Sequence, residues 1–327
     1  GYHYFTQPLP AWTSWYAHQF PPWLQRVSVA LMFLIEIVAP FLIFVGRRCR
    51  LAAFAAFVAL QFLIAATGSY GFFNLLTAVL CLSLLDDGHA ASVLPLAAER
   101  RLAAPTSRSL RELMRPSPAD GVRTAAAVLI ATVSLAVTAR EIVRTAPPGE
   151  LAPWLRTGLE LADRHIVQRS RPLVLALAPL RSINGYGLFR AMTTERPEIA
   201  IEVRAEGGEW RELRFRWKPG PTDRRPSFAA PHQPRLDWQM WFAALSPTSA
   251  RWLAPLSLRL LEGEPAVWAL LDEPVPDRPP AQVRLVYYRY RFTDRAERSA
   301  VGDWWHRERV TELSPPISAA ELRRRIE

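Results

Sequence analysis

The chain is poor in cysteine, and several common catalytic signatures are missing from it. Among 327 residues there are two cysteines, Cys49 and Cys81, which excludes a fold held together by a disulfide network. Neither belongs to a CxxC pair and no HExxH motif occurs, so the sequence indicates no redox pair and no metal site. The GxSxG elbow and Gly-rich phosphate loops are also missing. We therefore assign no catalytic residue and expect no cofactor.

Lysine is almost absent, and arginine carries the positive charge. The chain has 40 Lys+Arg against 30 Asp+Glu, a net charge of +10, and Lys218 is its only lysine. We interpret this bias as the codon usage of a GC-rich genome, which favours a bacterial source. The arginines are interleaved with acidic residues, and no RNA-binding or zinc-finger signature accompanies them. We expect no nucleic-acid partner.

Long apolar runs are confined to the part of the sequence before Arg140, and the rest has the charge density of a soluble domain. We therefore predict a transmembrane helical bundle over residues 1–144 and a soluble α+β domain over residues 145–327. A helix that spans a bilayer needs about 20 apolar residues. The four segments that qualify are 27–45, 51–67, 69–85 and 122–139. Because position 1 is Gly rather than Met, we expect a fragment or processed product, with at least one further span upstream.

The arginines in the short loops predict the orientation of the bundle. Arg47, Arg48 and Arg50 lie between the first two spans, and further arginines occupy the segment 86–121, which we expect to be a flexible cytoplasmic loop. Residues 1–24 and the C-terminal domain are then on the opposite side. That side is the periplasm if the membrane is a bacterial inner membrane, or the lumen if it is the endoplasmic reticulum.

The soluble part contains both helix and strand patterns. Residues 197–204 and 209–217 alternate as strands around Gly207-Gly208, which predicts a hairpin. Residues 282–292 predict a strong strand that pairs with 304–313, and residues 236–245 and 251–261 predict helices. Earlier in the chain, residues 151–168 predict an amphipathic helix. The apolar run 173–180 is too short to span and is either a core or an interfacial segment. An antiparallel sheet with a few helices follows.

Several longer motifs resemble those of the lipase maturation factor family. The N-terminal half carries YHYFTQPLP at residues 2–10, GFFNLL at 71–76 and LLDD at 84–87. The C-terminal half carries NGYGLFRAMTTERPEI at residues 184–199, KPG at 218–220 and APHQPRLDWQMWFAAL at 230–245. The resemblance implies a multi-pass membrane protein with a large domain on the luminal side. It also implies residence in the endoplasmic reticulum for animal members, which help secreted dimeric lipases to reach an active, assembled state.

One ionisable residue lies within a predicted span. Glu36 is near mid-membrane, and such a group is costly there unless it is paired or functional. Pro40 lies four residues further on and leaves the Glu36 carbonyl without its helical hydrogen bond. Glu36 either bonds within the bundle or handles a proton or substrate. Gln61 and Asn74, also within predicted spans, are interpreted as contacts between helices.

The densest polar cluster of the soluble domain contains His232, Arg235 and Asp237. Asp237 can cap the helix that follows, and Trp238 and Trp241 are aromatic anchors of the kind that dominate interfaces. The cluster is either a client-recognition edge or a structural core. Tyr186 and Arg190, in a turn-like segment near Gly187, are candidates for docking the domain to the membrane bundle.

The sequence is consistent with two functions. The first is a membrane-anchored maturation factor or chaperone whose partners are the lipid bilayer and secreted client proteins such as lipases. The alternative is an integral-membrane enzyme that acts on a lipid or quinone-like substrate through Glu36. The sequence favours the first, because the resemblance extends over most of the chain.

Overall fold

The computed structural model describes residues 1–86, 118–145, 149, 151–180, 183 and 193–326. The chain divides into two units, one formed by Gly1–Leu94 with Met192–Glu327 and the other by Pro95–Ala191. The division into residues 1–144 and 145–327 stays a prediction.

The N-terminal part of the first unit is helical. The helices are α1 (His3–Thr6), α2 (Trp12–His18), α3 (Pro22–Phe33), α4 (Ala39–Leu42), α5 (Arg47–Thr67) and α6 (Phe73–Cys81). A π-helical turn, Leu34–Val38, joins α3 to α4, and a 3₁₀ turn, Leu82–Leu84, continues α6. The N-terminal segment, which we define as residues 2–20, contains α1 and α2 and directly precedes the helix that begins at Pro22.

The part of the chain that the structure describes has three helices long and apolar enough to cross a membrane. They are Pro22–Leu42, Arg47–Thr67 and Gly121–Arg144. The third predicted segment, residues 69–85, instead forms the shorter apolar helix Phe73–Leu84. A helix of that length rises about 18 Å, against about 30 Å for the hydrocarbon core.

The helix is shorter than predicted for a local reason. Residues 68–72, here called the joint, contact the N-terminal segment and the C-terminal domain instead of extending α6. The Ser69 N–H donates to the Leu9 carbonyl at 3.3 Å, and Ser69 Oγ accepts the Ala229 N–H at 3.1 Å. Gly71 has φ +62° and lies under the Gln233 side chain. The joint therefore belongs to the contact between the membrane helices and the C-terminal domain, and α6 begins after it.

Polar contacts hold α5 and α6 together at two levels. The Asn74 side-chain amide donates to Gln61 Oε1 at 2.9 Å, in agreement with the helix–helix contact expected of these residues. Asp86 lies 3.0 Å from Arg47 Nε and 2.9 Å from Arg50 Nη2, so two of the arginines that begin α5 are paired at the end away from the joint.

The second unit is described only in part. Most of the predicted loop 86–121 lies outside the described residues, and the first helix already begins at Pro118. The helices are α7 (Pro118–Thr145), α8 (Pro153–Ala162) and α9 (Arg171–Leu177), with a π-helical turn at Asp163–Val167 and a 3₁₀ turn at Ala178–Leu180. Leu175 and Leu180 are exposed, so the run 173–180 is not a core segment within this unit.

The C-terminal part of the first unit is an antiparallel four-stranded sheet with helices, as predicted. The strands are β1 (Arg196–Arg204), β2 (Arg211–Glu212), β3 (Gln282–Phe292) and β4 (Trp305–Ser318), in the order β2-β1-β3-β4. The helices are α10 (Arg235–Leu245), α11 (Leu253–Leu261), α12 (Pro265–Trp268), α13 (Arg295–Val301) and α14 (Ala319–Ile326). The predicted hairpin is present, although β2 covers only two residues of the predicted strand 209–217.

Both faces of this sheet are covered, because β1 and β3 alternate their side chains between the two faces. On one face, Ile201 and Val283 pack with Met240 of α10. On the other, Tyr290 packs with Trp15 of the N-terminal segment. The residues that precede the first span are therefore part of the domain core.

The joint gives the first testable prediction. A Cβ at Gly68 would lie 1.9 Å from Gln7 Oε1 and 2.7 Å from the Tyr70 ring, so Gly68→Ala forces the N-terminal segment away from α5. We expect a lower melting temperature in detergent and faster proteolysis within residues 2–20. Gly220→Ala is the control, because nothing lies within 4 Å of its added Cβ. Equal behaviour of the two variants would contradict the close packing at the joint.

Candidate functional site

The contact between the N-terminal segment and the domain is organised around Arg196, the first residue of β1. The side chain is 0% exposed. Its Nη1 donates to the carbonyl oxygens of Phe5, at 2.7 Å, and Gln7, and its Nη2 donates to that of Pro8 at 2.9 Å. Burial lowers the pKa of the guanidinium, and the neighbouring Glu198 carboxylate opposes that shift. One buried cation thus binds three carbonyls of the N-terminal segment.

Glu198 joins this cation to a second one. Residues 196 and 198 lie on the same face of β1, two positions apart. Arg196 Nη2 lies 2.7 Å from Glu198 Oε1, and Lys218 Nζ lies 2.9 Å from Glu198 Oε2. The ammonium also donates to the carbonyls of Ile199, at 3.3 Å, and Pro219, at 3.1 Å. The only lysine of the chain is therefore a buried partner of Glu198.

Asp237 completes this arrangement from α10. Its Oδ1 accepts the backbone N–H groups of Trp217 and Lys218, both at 2.9 Å. Burial raises the pKa of this carboxyl, and the two donors oppose the shift. The predicted capping role was wrong: α10 begins at Arg235 with Pro234 before it, so Asp237 lies inside the first turn and binds another segment.

The two tryptophans of the predicted recognition cluster are buried. Trp238 is 3% exposed and Trp241 6%, and the Trp241 indole N–H donates to the Thr6 carbonyl at 3.0 Å. This burial favours the structural interpretation of the pair. The aromatic ring that α10 does expose is Phe242, which is 41% exposed and packs edge-on against Trp241 at 4.9 Å.

His232 and Arg235 are exposed, unlike Asp237 and the two tryptophans. The His232 ring lies 6.2 Å from that of Trp217. Arg235, Gln239 and Phe242 follow one another at helical spacing, so they share one face of α10. The structure therefore divides the predicted cluster in two. Asp237, Trp238 and Trp241 are buried and stabilise the fold. Arg235 lies on the outer stripe of α10, and His232 is exposed just before the helix.

The remaining candidates lie elsewhere. Glu36 is exposed within the π-helical turn Leu34–Val38, just before Pro40. Turns of this type kink helices and are frequent at functional sites. Tyr186 and Arg190 lie outside the described residues.

Sequence reasoning missed Arg196, Glu198 and Lys218 as a group. Two signals were available in the sequence. The alternation of residues 196–204 places both charges of RPE on one face of β1, and Lys218 is the only lysine among many arginines. What joins them is a carbonyl cluster about 190 residues earlier in the chain, which no local pattern reveals.

The buried ion group predicts a large effect of removing its carboxylate. Glu198→Gln leaves Arg196 and Lys218 buried without their counter-charge, and breaking such a group costs about 3–5 kcal/mol. The control is Glu308→Gln in β4, whose carboxylate is 64% exposed and 3.5 Å from Arg289, where a pair contributes about 0–1 kcal/mol. Thermal unfolding in detergent measures both. A Glu198→Gln variant as stable as the control would refute this role.

Comparison with known proteins gives the family. The family model of the lipase maturation factor transmembrane domain matches residues 1–92, and that of the lipase maturation factor C-terminal domain matches residues 182–315. Lipase maturation factor 2 of Homo sapiens is 34% identical over 401 aligned residues, covering 98% of this chain and 55% of that protein. Lipase maturation factor 1 of Bos taurus is 32% identical over 332, covering 98% and 56%.

The chain spans about half the length of the curated relatives it matches. No solved structure matches it with significance. Its helices and its relatives together identify a multi-pass membrane protein. The two matched domains and the relatives show that the chain belongs to the lipase maturation factor family.

Proposed function

We propose that this protein is a membrane-anchored maturation factor that assists the folding or assembly of secreted lipases at the extracytoplasmic face. The observation that carries the proposal is the docking of the family's C-terminal domain on the residues that precede the first span. A domain held there by Arg196 and Trp241 stays beside the membrane, where newly translocated clients emerge. The relatives' name supplies the client class.

The arginine distribution supports the extracytoplasmic side. Arg47, Arg48 and Arg50 begin α5, and the joint follows the other end of the same helix. The C-terminal domain contacts the joint through Ala229 and Gln233, so it lies at the end away from these arginines. By the positive-inside rule, this arrangement supports an arginine end in the cytoplasm and a domain in the periplasm or lumen.

Cysteine labelling tests this orientation. In a variant that lacks Cys49 and Cys81, we expect Val301→Cys, an exposed position of α13, to react with a membrane-impermeant maleimide added to intact spheroplasts. Arg48→Cys should react only after permeabilisation. The reverse pattern would place the domain in the cytoplasm and contradict the proposed function.

For client recognition, we propose the stripe of α10 formed by the exposed Arg235 and Phe242 with the half-buried Gln239 between them, together with the exposed His232. Arginine and a large aromatic side chain are the residue types that dominate protein interfaces. Trp238 and Trp241 support the stripe from behind, because Phe242 packs on both rings, at 6.5 Å and 4.9 Å. The interface and structural interpretations of the predicted cluster then apply to different faces of one helix.

A capture experiment tests the stripe. The full chain in detergent is mixed with a denatured, secreted dimeric lipase as the denaturant is diluted, and complex formation is measured by affinity pull-down. We expect Phe242→Ser with Arg235→Ala to weaken capture by about 30-fold, since an interface anchor contributes about 2 kcal/mol. Leu270→Ser, which removes an equally exposed side chain after α12, is the control.

Two outcomes would contradict this assignment. Equal capture by the control and the stripe variant would move recognition elsewhere on the domain. Loss of function in cells in Glu36→Gln, with normal expression, stability and capture, would favour the alternative that the intramembrane carboxyl acts on a lipid or quinone-like substrate. The π-helical turn around Glu36 is the observation that keeps this alternative open.

A further inference from the structure

A cluster of tryptophans lies where the domain meets the first span. The rings of Trp15 and Trp304 pack edge-to-face with their centroids 5.7 Å apart. The Arg298 guanidinium lies 3.5 Å from the Trp304 ring centroid and 4.9 Å from that of Trp15. Arg225 lies 4.6 Å over Trp12 and 6.0 Å from Trp304. Two arginines are thus held on one aromatic cluster by cation–π contacts.

Hydrogen bonds place this cluster close to the membrane boundary. Trp15 Nε1 donates to Thr293 Oγ1 at 3.2 Å, and Gln19 Nε2 donates to the Thr293 carbonyl at 3.1 Å. Thr293 precedes α13, which carries Arg298, and Gln19 lies three residues before the span that begins at Pro22. Arg298 is therefore held against the N-terminal segment, on Trp15, seven residues before the span begins at Pro22.

Arg225 is also linked to residues next to a span, through the segment that follows it in the chain. The segment that follows it leads to Ala229, whose N–H donates to Ser69 Oγ in the joint at 3.1 Å. Phe228, in the same segment, packs edge-on against Trp12 at 6.1 Å. Both arginines are thus carried by segments attached to residues that adjoin spans.

These two arginines differ from most others of the domain in their partners. Among the described residues, neither Arg225 nor Arg298 forms an ion pair with a carboxylate. The acidic residues at the start of α13 have other partners: Asp294 caps the helix by accepting the Glu297 N–H, and Glu297 binds Arg291. Each guanidinium is therefore oriented by an aromatic ring, and its positive charge is available to another ligand.

We propose that Arg225 and Arg298 bind the headgroup phosphate of an anionic phospholipid in the leaflet next to the domain. Guanidinium and phosphate form short, charge-assisted hydrogen bonds, and stacking on tryptophan fixes the guanidinium plane in advance. Tyr16, Phe20 and Trp23 are exposed around the start of the span, as expected of an aromatic belt at headgroup depth. The bound lipid then forms part of the contact between the domain and the membrane. This contact does not require a client protein.

Lipid binding by the purified full chain tests this proposal. The delipidated protein in mild detergent is titrated with phosphatidylglycerol, and bound lipid is counted by native mass spectrometry. We expect Arg225→Gln with Arg298→Gln to weaken binding about tenfold or more, given the two lost charges. Arg225→Lys with Arg298→Lys keeps both charges without the planar guanidinium, so it should bind phosphatidylglycerol more tightly than the glutamine variant and less tightly than the unchanged protein, which separates a lost ligand from a misfolded domain.

The control is Arg295→Gln, on α13 one turn before Arg298 and exposed without a tryptophan beneath it. An equal loss in this control would show general electrostatic attraction and overturn the site. Competition by inorganic phosphate at equal concentration would identify a free-anion site, and equal affinity for phosphatidylcholine would remove the role of lipid charge. Either result would also overturn the proposal.

Discussion

The fold depends on a buried cation that binds the main chain of a distant segment. Arg196 has no contact with solvent and donates to carbonyl oxygens of the N-terminal segment, which leads into the first span. A cation in such a place is tolerated only when it is paired and fully hydrogen-bonded. Glu198 supplies the counter-charge, and Lys218 and Asp237 bring the adjoining loop and α10 into the same arrangement. The segment that leads into the first span and the C-terminal domain are therefore packed together around one buried group of charges.

This coupling explains why the contact uses backbone groups and buried indoles rather than exposed salt bridges. Gln7 donates to the Thr67 carbonyl at 3.0 Å, where α5 ends, and Trp241 donates to the Thr6 carbonyl. Exposed pairs such as Arg289–Glu308 are screened and contribute little. Buried hydrogen bonds are directional and costly to leave unmade, so they hold the C-terminal domain in one orientation against the residues that precede the first span.

Local patterns predicted the elements better than they predicted the contacts between them. The period-two alternation of residues 282–292 and the helical spacing after Pro234 were sufficient for β3 and α10, because burial on one face imposes those periods. The third apolar run was expected to span, but the joint takes its first residues for contacts with Leu9 and Ala229. Asp237 likewise binds a segment 20 residues earlier, whereas a cap is a local interaction. Partners far apart in the sequence leave no periodic signal.

The burial of the tryptophans shows that residues adjacent in the sequence lie on two different faces of α10, one buried and one exposed. Trp238 and Trp241 face inward, so α10 exposes Phe242 and Arg235 on its other side. The helix begins next to Gln233, which covers Gly71 of the joint, and seven residues of helix rise about 10 Å. A client bound to Phe242 would therefore lie about one helix diameter from the joint, close to the bilayer. The lipid site proposed at Arg225 and Arg298 uses other residues, held on Trp12, Trp15 and Trp304, so the two proposed ligands do not share a contact.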